Sequence, residues 1–141
     1  MWLYIMPKFK ILVPLVGSET SMHSLDWLKK FYSKDDAEVT LINVVEIYYS
    51  LPLYELKNPE IEKNESNRFL NVAAHKLEGY KVNELSAFGF APDEILKEAT
   101  NGKYDFMIMT KSSVKGISRM IGSVTTKVVR DSEIPVIVIP A

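Results

Sequence analysis

The chain contains no cysteine. Disulfides, iron–sulfur clusters, thiolate zinc sites and thiol catalysis are therefore excluded, and the composition is compatible with a reducing, cytoplasmic setting. Histidine is nearly as scarce. His23 and His75 are the only two, too far apart to form a local ligand motif, so no metal site is expected. A surplus of charge of one sign is lacking too. Seventeen Lys plus Arg stand against eighteen Asp plus Glu, for a formal net charge of -1. This excludes a chain-wide footprint for nucleic acid or an anionic membrane. The longest apolar stretch near the start, Met1 to Met6, is too short for a signal peptide or a membrane span, and Lys8 and Lys10 follow it instead of preceding it. Neither G-x-G-x-x-G nor G-x-x-x-x-G-K-[ST] occurs, so the dinucleotide and P-loop fingerprints are missing. No paired carboxylates stand at a strand end, where Val16 occupies the obvious position, and both histidines fall in helical patterns. No acid–base machinery is visible.

What is present is an ordinary globular composition, 47% hydrophobic and 25% charged over 141 residues, enough for one domain. Met6-Pro7-Lys8 reads like a chain start. Residues 1–5 are read either as a mis-called start or added segment, or as a short extra strand or contact arm carrying Trp2 and Tyr4; 1–7 are set apart as an extension and 8–141 is taken as the domain. Phe9 to Leu15 is a continuous apolar run. Residues 21–32 then place Met22, Leu25, Leu28 and Phe31/Tyr32 on one helical face, with Ser18 as cap. Ala37 to Val45 is a β-branched strand. The segment 46–59 is a loop ending in Asn58-Pro59-Glu60, which has cap, first-turn proline and acid in the order that starts a helix. That helix carries Ile61, Phe69, Val72, Ala73 and Leu77 and ends at Gly79. Residues 81–88 form a polar strand suited to an edge. Pro92 opens a third helix, with Ile95, Leu96 and Ala99 inward and Gly102 closing it. Tyr104 to Thr110 is a fourth strand, Val124, Val128 and Val129 mark a last helix, and Ile134 to Pro140 is a fifth strand. This alternation predicts a doubly wound α/β fold, a five-stranded parallel sheet with helices on both faces. Pro14 fits only at the C-terminal end of its strand, where ligands bind in such folds.

Two loops at strand C-termini carry the unusual residues. Leu15 to Ser21 offers Gly17 and the hydroxyls of Ser18, Thr20 and Ser21 before a helix. Thr110 to Arg130 holds Lys111, Lys115, Arg119, Lys127 and Arg130 with no acid, plus several Ser and Thr and the glycines Gly116 and Gly122. That span is expected to form a local anion field, with the N–H groups after Gly122-Ser123 pointing into the crevice.

Lys10-Ile-Leu-Val-Pro-Leu-Val-Gly-Ser18, Leu41-Ile-Asn-Val-Val45, Glu94-Ile-Leu96, Ile121-Gly-Ser-Val-Thr125 and Ile134-Pro-Val-Ile-Val138 resemble the universal stress protein family from residue 8 to 141. The resemblance implies the sheet order 3-2-1-4-5 and a homodimer through the last strand, whose Val136, Ile137, Val138 and Ile139 form an apolar edge that needs covering. It also implies an ATP- or AMP-binding site to which Pro14, Gly17, Ser18, Val44, Met109, Gly122, Ser123, Val124 and Thr125 conform, beside Lys111. Three positions depart from the nucleotide-binding pattern. Val16 stands where an aspartate is expected, and Thr110 and Ser113 replace two glycines. Val16 cannot accept a ligand hydrogen bond, a loss of about 1–3 kcal/mol, whereas the hydroxyls of Thr110 and Ser113 are expected to donate to an anion. The expected function is thus a non-catalytic stress-response or regulatory homodimer, with an unidentified protein partner and an altered, weak or absent nucleotide site. One alternative is an ATP- or AMP-binding member with slow hydrolysis. A remote one is an FMN electron carrier of flavodoxin type.

Overall fold

The computed structural model describes residues 8–16, 19–46, 58–111 and 122–140. Five parallel strands, β1 (Phe9–Pro14), β2 (Ala37–Glu46), β3 (Lys81–Gly89), β4 (Phe106–Thr110) and β5 (Val136–Ile139), lie in the order β3-β2-β1-β4-β5. The expected order is thereby observed. Four helices connect them: α1 (His23–Phe31), α2 (Pro59–His75), α3 (Ala91–Asn101) and α4 (Ser123–Asp131). Alternate residues of the central strand feed two cores. Ile11 and Val13 pack with Leu25 and Leu28 of α1 and Leu70 and Ala73 of α2, whereas Leu12 packs with Ile95 and Ala99 of α3 and Val128 of α4. Each fully buried Leu or Ile contributes on the order of 1.5–3 kcal/mol relative to exposure.

Several elements differ in detail from the sequence reading. The chain enters α1 through a 3-10 turn, Glu19–Met22, and Met22 at the cap position makes no side-chain cap bond; Ser18 lies outside the described residues. Met22, Leu25 and Leu28 are buried as expected, but Phe31 is 58% exposed. On α2, Ile61 and Val72 face solvent, and the buried line is Ser66, Leu70, Ala73 and, just past the helix, Leu77. Those four recur at steps of four, three and four, and a serine in the first place hid the stripe. α2 ends at His75, and Gly79 instead serves the following turn at φ +90°, a conformation that costs glycine little. β5 is shorter than expected because Pro135 and Pro140 bracket it and neither can donate to a ladder. Asn58 caps α2 as read, accepting from the Glu60 N–H at 2.9 Å.

Pro14 has a directional consequence. Along β1 the Phe9 and Leu15 N–H groups donate to Asp36 and Ile42 on the β2 side, and the Lys10 C=O accepts from the Asp105 N–H on the β4 side. Even positions therefore face β4, and the donor that Pro14 lacks is missing on that side. Accordingly β1 stays in register with β2 to Pro14↔Ile42, but with β4 only to Leu12↔Met107. The β1–β4 ladder thus stops short of the strands' C-terminal ends, at the topological switch point of the sheet.

Candidate functional site

The C-terminal ends of β1, β2 and β4 and the starts of the helices form one edge. A cavity of about 400 Å³ opens there, running from Leu15 and Val16 across Asn43 and Val44 to Glu62, Glu65, Ser66 and Phe69 of α2 and Ala91 and Ile95 of α3. Val16 and Val44, both expected at the site, line it together. Gly17, Ser18 and Ser113 lie outside the described residues, as do Lys115 and Arg119, residues 1–7 and most of the loop 46–59. Met109 is fully buried in the α3/α4 core. The Lys111 N–H donates to the Ile139 C=O at 2.7 Å, continuing the β4–β5 ladder. Gly122 is the N-cap of α4, followed by exposed Ser123, half-buried Val124 and buried Thr125. Helices linking parallel strands run back against them, so α4 begins at this same edge, where its first N–H groups favour an anion.

A chain of hydrogen bonds beneath the cavity went unread in the sequence. The Asn43 amide donates to the Leu15 C=O at 2.7 Å, the Ser66 hydroxyl donates to Asn43 Oδ1 at 2.7 Å, and the Ser86 hydroxyl donates to Ser66 at 2.7 Å. Asn43 and Ser66 are buried, where an unmatched polar group is costly. The available signal was an asparagine inside the apolar run LINVV.

Two expectations about anion binding are corrected. Thr110 is buried, and its hydroxyl donates to the Ser21 C=O at 3.0 Å while accepting the Ser24 N–H at 3.1 Å. It caps α1 from across the sheet, replacing the cap that Met22 cannot provide, and is committed there instead of to a ligand anion. The expected field of unopposed cations is also reduced. Lys127 donates to Asp93 at 2.7 Å and lies 5.3 Å from the Phe90 ring centroid, which ties α4 to α3. Arg130 is bonded to Asp131, whose carboxyl it holds below the usual range. The acids that oppose these cations lie outside the span 110–130.

The sequence profile of the Universal stress protein family matches residues 9–140. The chain belongs to the universal stress protein family. Universal stress protein MJ0531 of Methanocaldococcus jannaschii is 30% identical over 142 residues, covering 92% of this chain and 81% of that protein. Universal stress protein MJ0577 of the same organism is 30% identical over 153 residues, covering 92% and 93%. The solved structure of MJ0577 superposes with a TM-score of 0.68 at 29% identity, over 94% of this chain and 96% of that one. A family structure from Arabidopsis thaliana with AMP bound superposes with a TM-score of 0.67 at 20% identity, over 94% and 91%. Among the described residues of this universal stress protein, no group of three His, Asp or Glu is placed to hold a metal, and no helix is long and apolar enough to cross a membrane.

Proposed function

We propose that this universal stress protein is a non-catalytic regulatory protein that senses an adenine nucleotide at the C-terminal edge of its sheet. The phosphate sits at the Gly122–Thr125 start of α4, and the nucleoside lies over the end of β1, between that start and the cavity lined by Val16 and Val44. The observation that carries this reading is a cavity of about 400 Å³ at the C-terminal ends of β1 and β2, a size suited to a small ligand, next to the strand end where the β1–β4 ladder has stopped. The AMP-bound family structure supports the ligand class. Val16 offers no side-chain acceptor, so the nucleoside is gripped less firmly than an aspartate would grip it.

Calorimetric titration with AMP and ATP tests this. The wild-type protein is expected to bind, Val16→Asp to tighten AMP binding about tenfold or more, and Gly122→Asp to remove it by placing a carboxylate at the phosphate position. Indifference to both substitutions would put the ligand elsewhere.

We also infer that two copies associate through β5. Its apolar residues Val136 to Ile139 pair on one side with β4, and Val138 is 39% exposed. An unpaired apolar edge is a template for a second strand. Val138→Lys is expected to turn a dimer into a monomer in sedimentation velocity; a wild-type monomer would refute the reading.

A further inference from the structure

The geometry points to Asn43 as a positioning residue that aims a main-chain donor of β1 at the ligand, an inference that rests on the nucleotide reading above. Its side-chain amide donates to the Leu15 C=O at 2.7 Å, while the Leu15 N–H donates to the Ile42 C=O at 2.8 Å. Both polar groups of Leu15 are thus held on the β2 side. No peptide among the described residues is cis, and in a planar trans peptide the C=O and the following N–H point in opposite directions. Fixing the Leu15 carbonyl toward β2 therefore turns the Val16 N–H away from β2, toward the β4 side, where the main-chain ladder has already ended at Leu12↔Met107. Among the described residues no acceptor meets that N–H.

Asn43 is itself fixed. Its carbonyl oxygen accepts from Ser66, which accepts from Ser86, so the amide cannot rotate without orphaning the buried Ser66 hydroxyl. The relay ties α2 and β3 to a single peptide plane at the site. The Val16 side chain cannot bond a ligand, but its main chain offers one N–H, which suits an acceptor atom such as a ribose oxygen or a base ring nitrogen. Position 16 thereby reads the nucleoside as a donor.

The test compares the full-length wild type with Asn43→Asp and Leu70→Ala. Asn43→Asp keeps an acceptor for Ser66 but has no amide to donate to Leu15. Leu70→Ala destabilises the α1/α2 core without touching β1's end. AMP titrations are run at a temperature where all three are folded by circular dichroism. Asn43→Asp is expected to weaken AMP binding roughly tenfold or more, and Leu70→Ala to stay within about threefold because it breaks no ligand contact. Equal losses in both variants, or none in Asn43→Asp, would overturn the inference. Amide exchange by NMR on the ligand-free protein gives an independent reading. The Leu15 N–H should lose protection in Asn43→Asp but keep it in Leu70→Ala, and unchanged Leu15 protection in Asn43→Asp would sink the positioning role whatever binds. If the wild type binds neither AMP nor ATP, the proposed ligand falls, and the exchange data alone decide the role of Asn43. Should Asn43→Asp fail to fold, Ser66→Ala is read in the same two ways, expected to weaken AMP binding two- to fivefold through a loosened amide.

Discussion

Thr110→Val is expected to lower the unfolding free energy by about 2–3 kcal/mol, because it removes a cap and strands a buried donor with no change in shape. The Ser24 N–H, at the second position of α1, has the Thr110 hydroxyl as its acceptor at 3.1 Å. Valine fills the same volume and accepts nothing. The Ser21 carbonyl fares better, since the Ser24 hydroxyl still donates to it at 2.8 Å. Ser24→Ala should accordingly cost less, about 1 kcal/mol, because Thr110 keeps both of its bonds. Urea unfolding followed by circular dichroism measures both. A Thr110→Val protein as stable as wild type, or one no worse than Ser24→Ala, would show that α1 does not depend on a cap from β4.

Gly102→Ala should be at least as costly, about 3 kcal/mol, for a steric reason. The glycine adopts an ordinary helix-end conformation (φ -91°), so backbone strain plays no part. A Cβ there would stand 2.1 Å from Cε2 of Tyr104 and 2.9 Å from the Glu98 carbonyl oxygen. The carbonyl belongs to α3 and accepts the Gly102 N–H at 2.8 Å, so it cannot retreat without undoing the helix end. The ring is tethered because the Tyr104 hydroxyl donates to Glu98 at 2.7 Å. Burial, aided by Glu98, pushes that phenol up to about 12. Relief of the clash must swing the ring outward, so an absorbance titration should find the phenol moved back down toward its ordinary value of 10.0. Wild-type stability together with an unmoved titration would mean that the ring has free room to shift.

The sequence carried the architecture because its determinants are local. Asn58-Pro59-Glu60 starts a helix wherever it stands, and apolar runs between helical stripes admit little besides a covered parallel sheet. Pro14 could be placed at a strand end for the same reason. The family resemblance supplied the strand order. What remained hidden depends on partners remote in sequence. Thr110 looked like an altered glycine of a phosphate loop, and its role as a cap for α1 exists only when β4 lies beside the turn at Ser21. Lys127 looked like a free cation because Asp93 is 34 residues away. Asn43 stands inside the apolar run LINVV and Ser66 inside the polar stretch KNESNR, and neither explains the other until α2 crosses β2. The candidate site was thus legible in its location and in the residues of its strand ends, but not in which polar groups were already committed.

The early end of the β1–β4 ladder has a further meaning for how such a site can change. A cleft that side chains hold open closes when they are replaced. A break in a ladder that follows from a missing main-chain hydrogen persists through any substitution that retains the proline. The missing ladder bond is then a fixed property of this edge, whatever side chains surround it. Residues around the rim, Val16 among them, are free to vary and so to alter what is recognised without rebuilding the place of recognition.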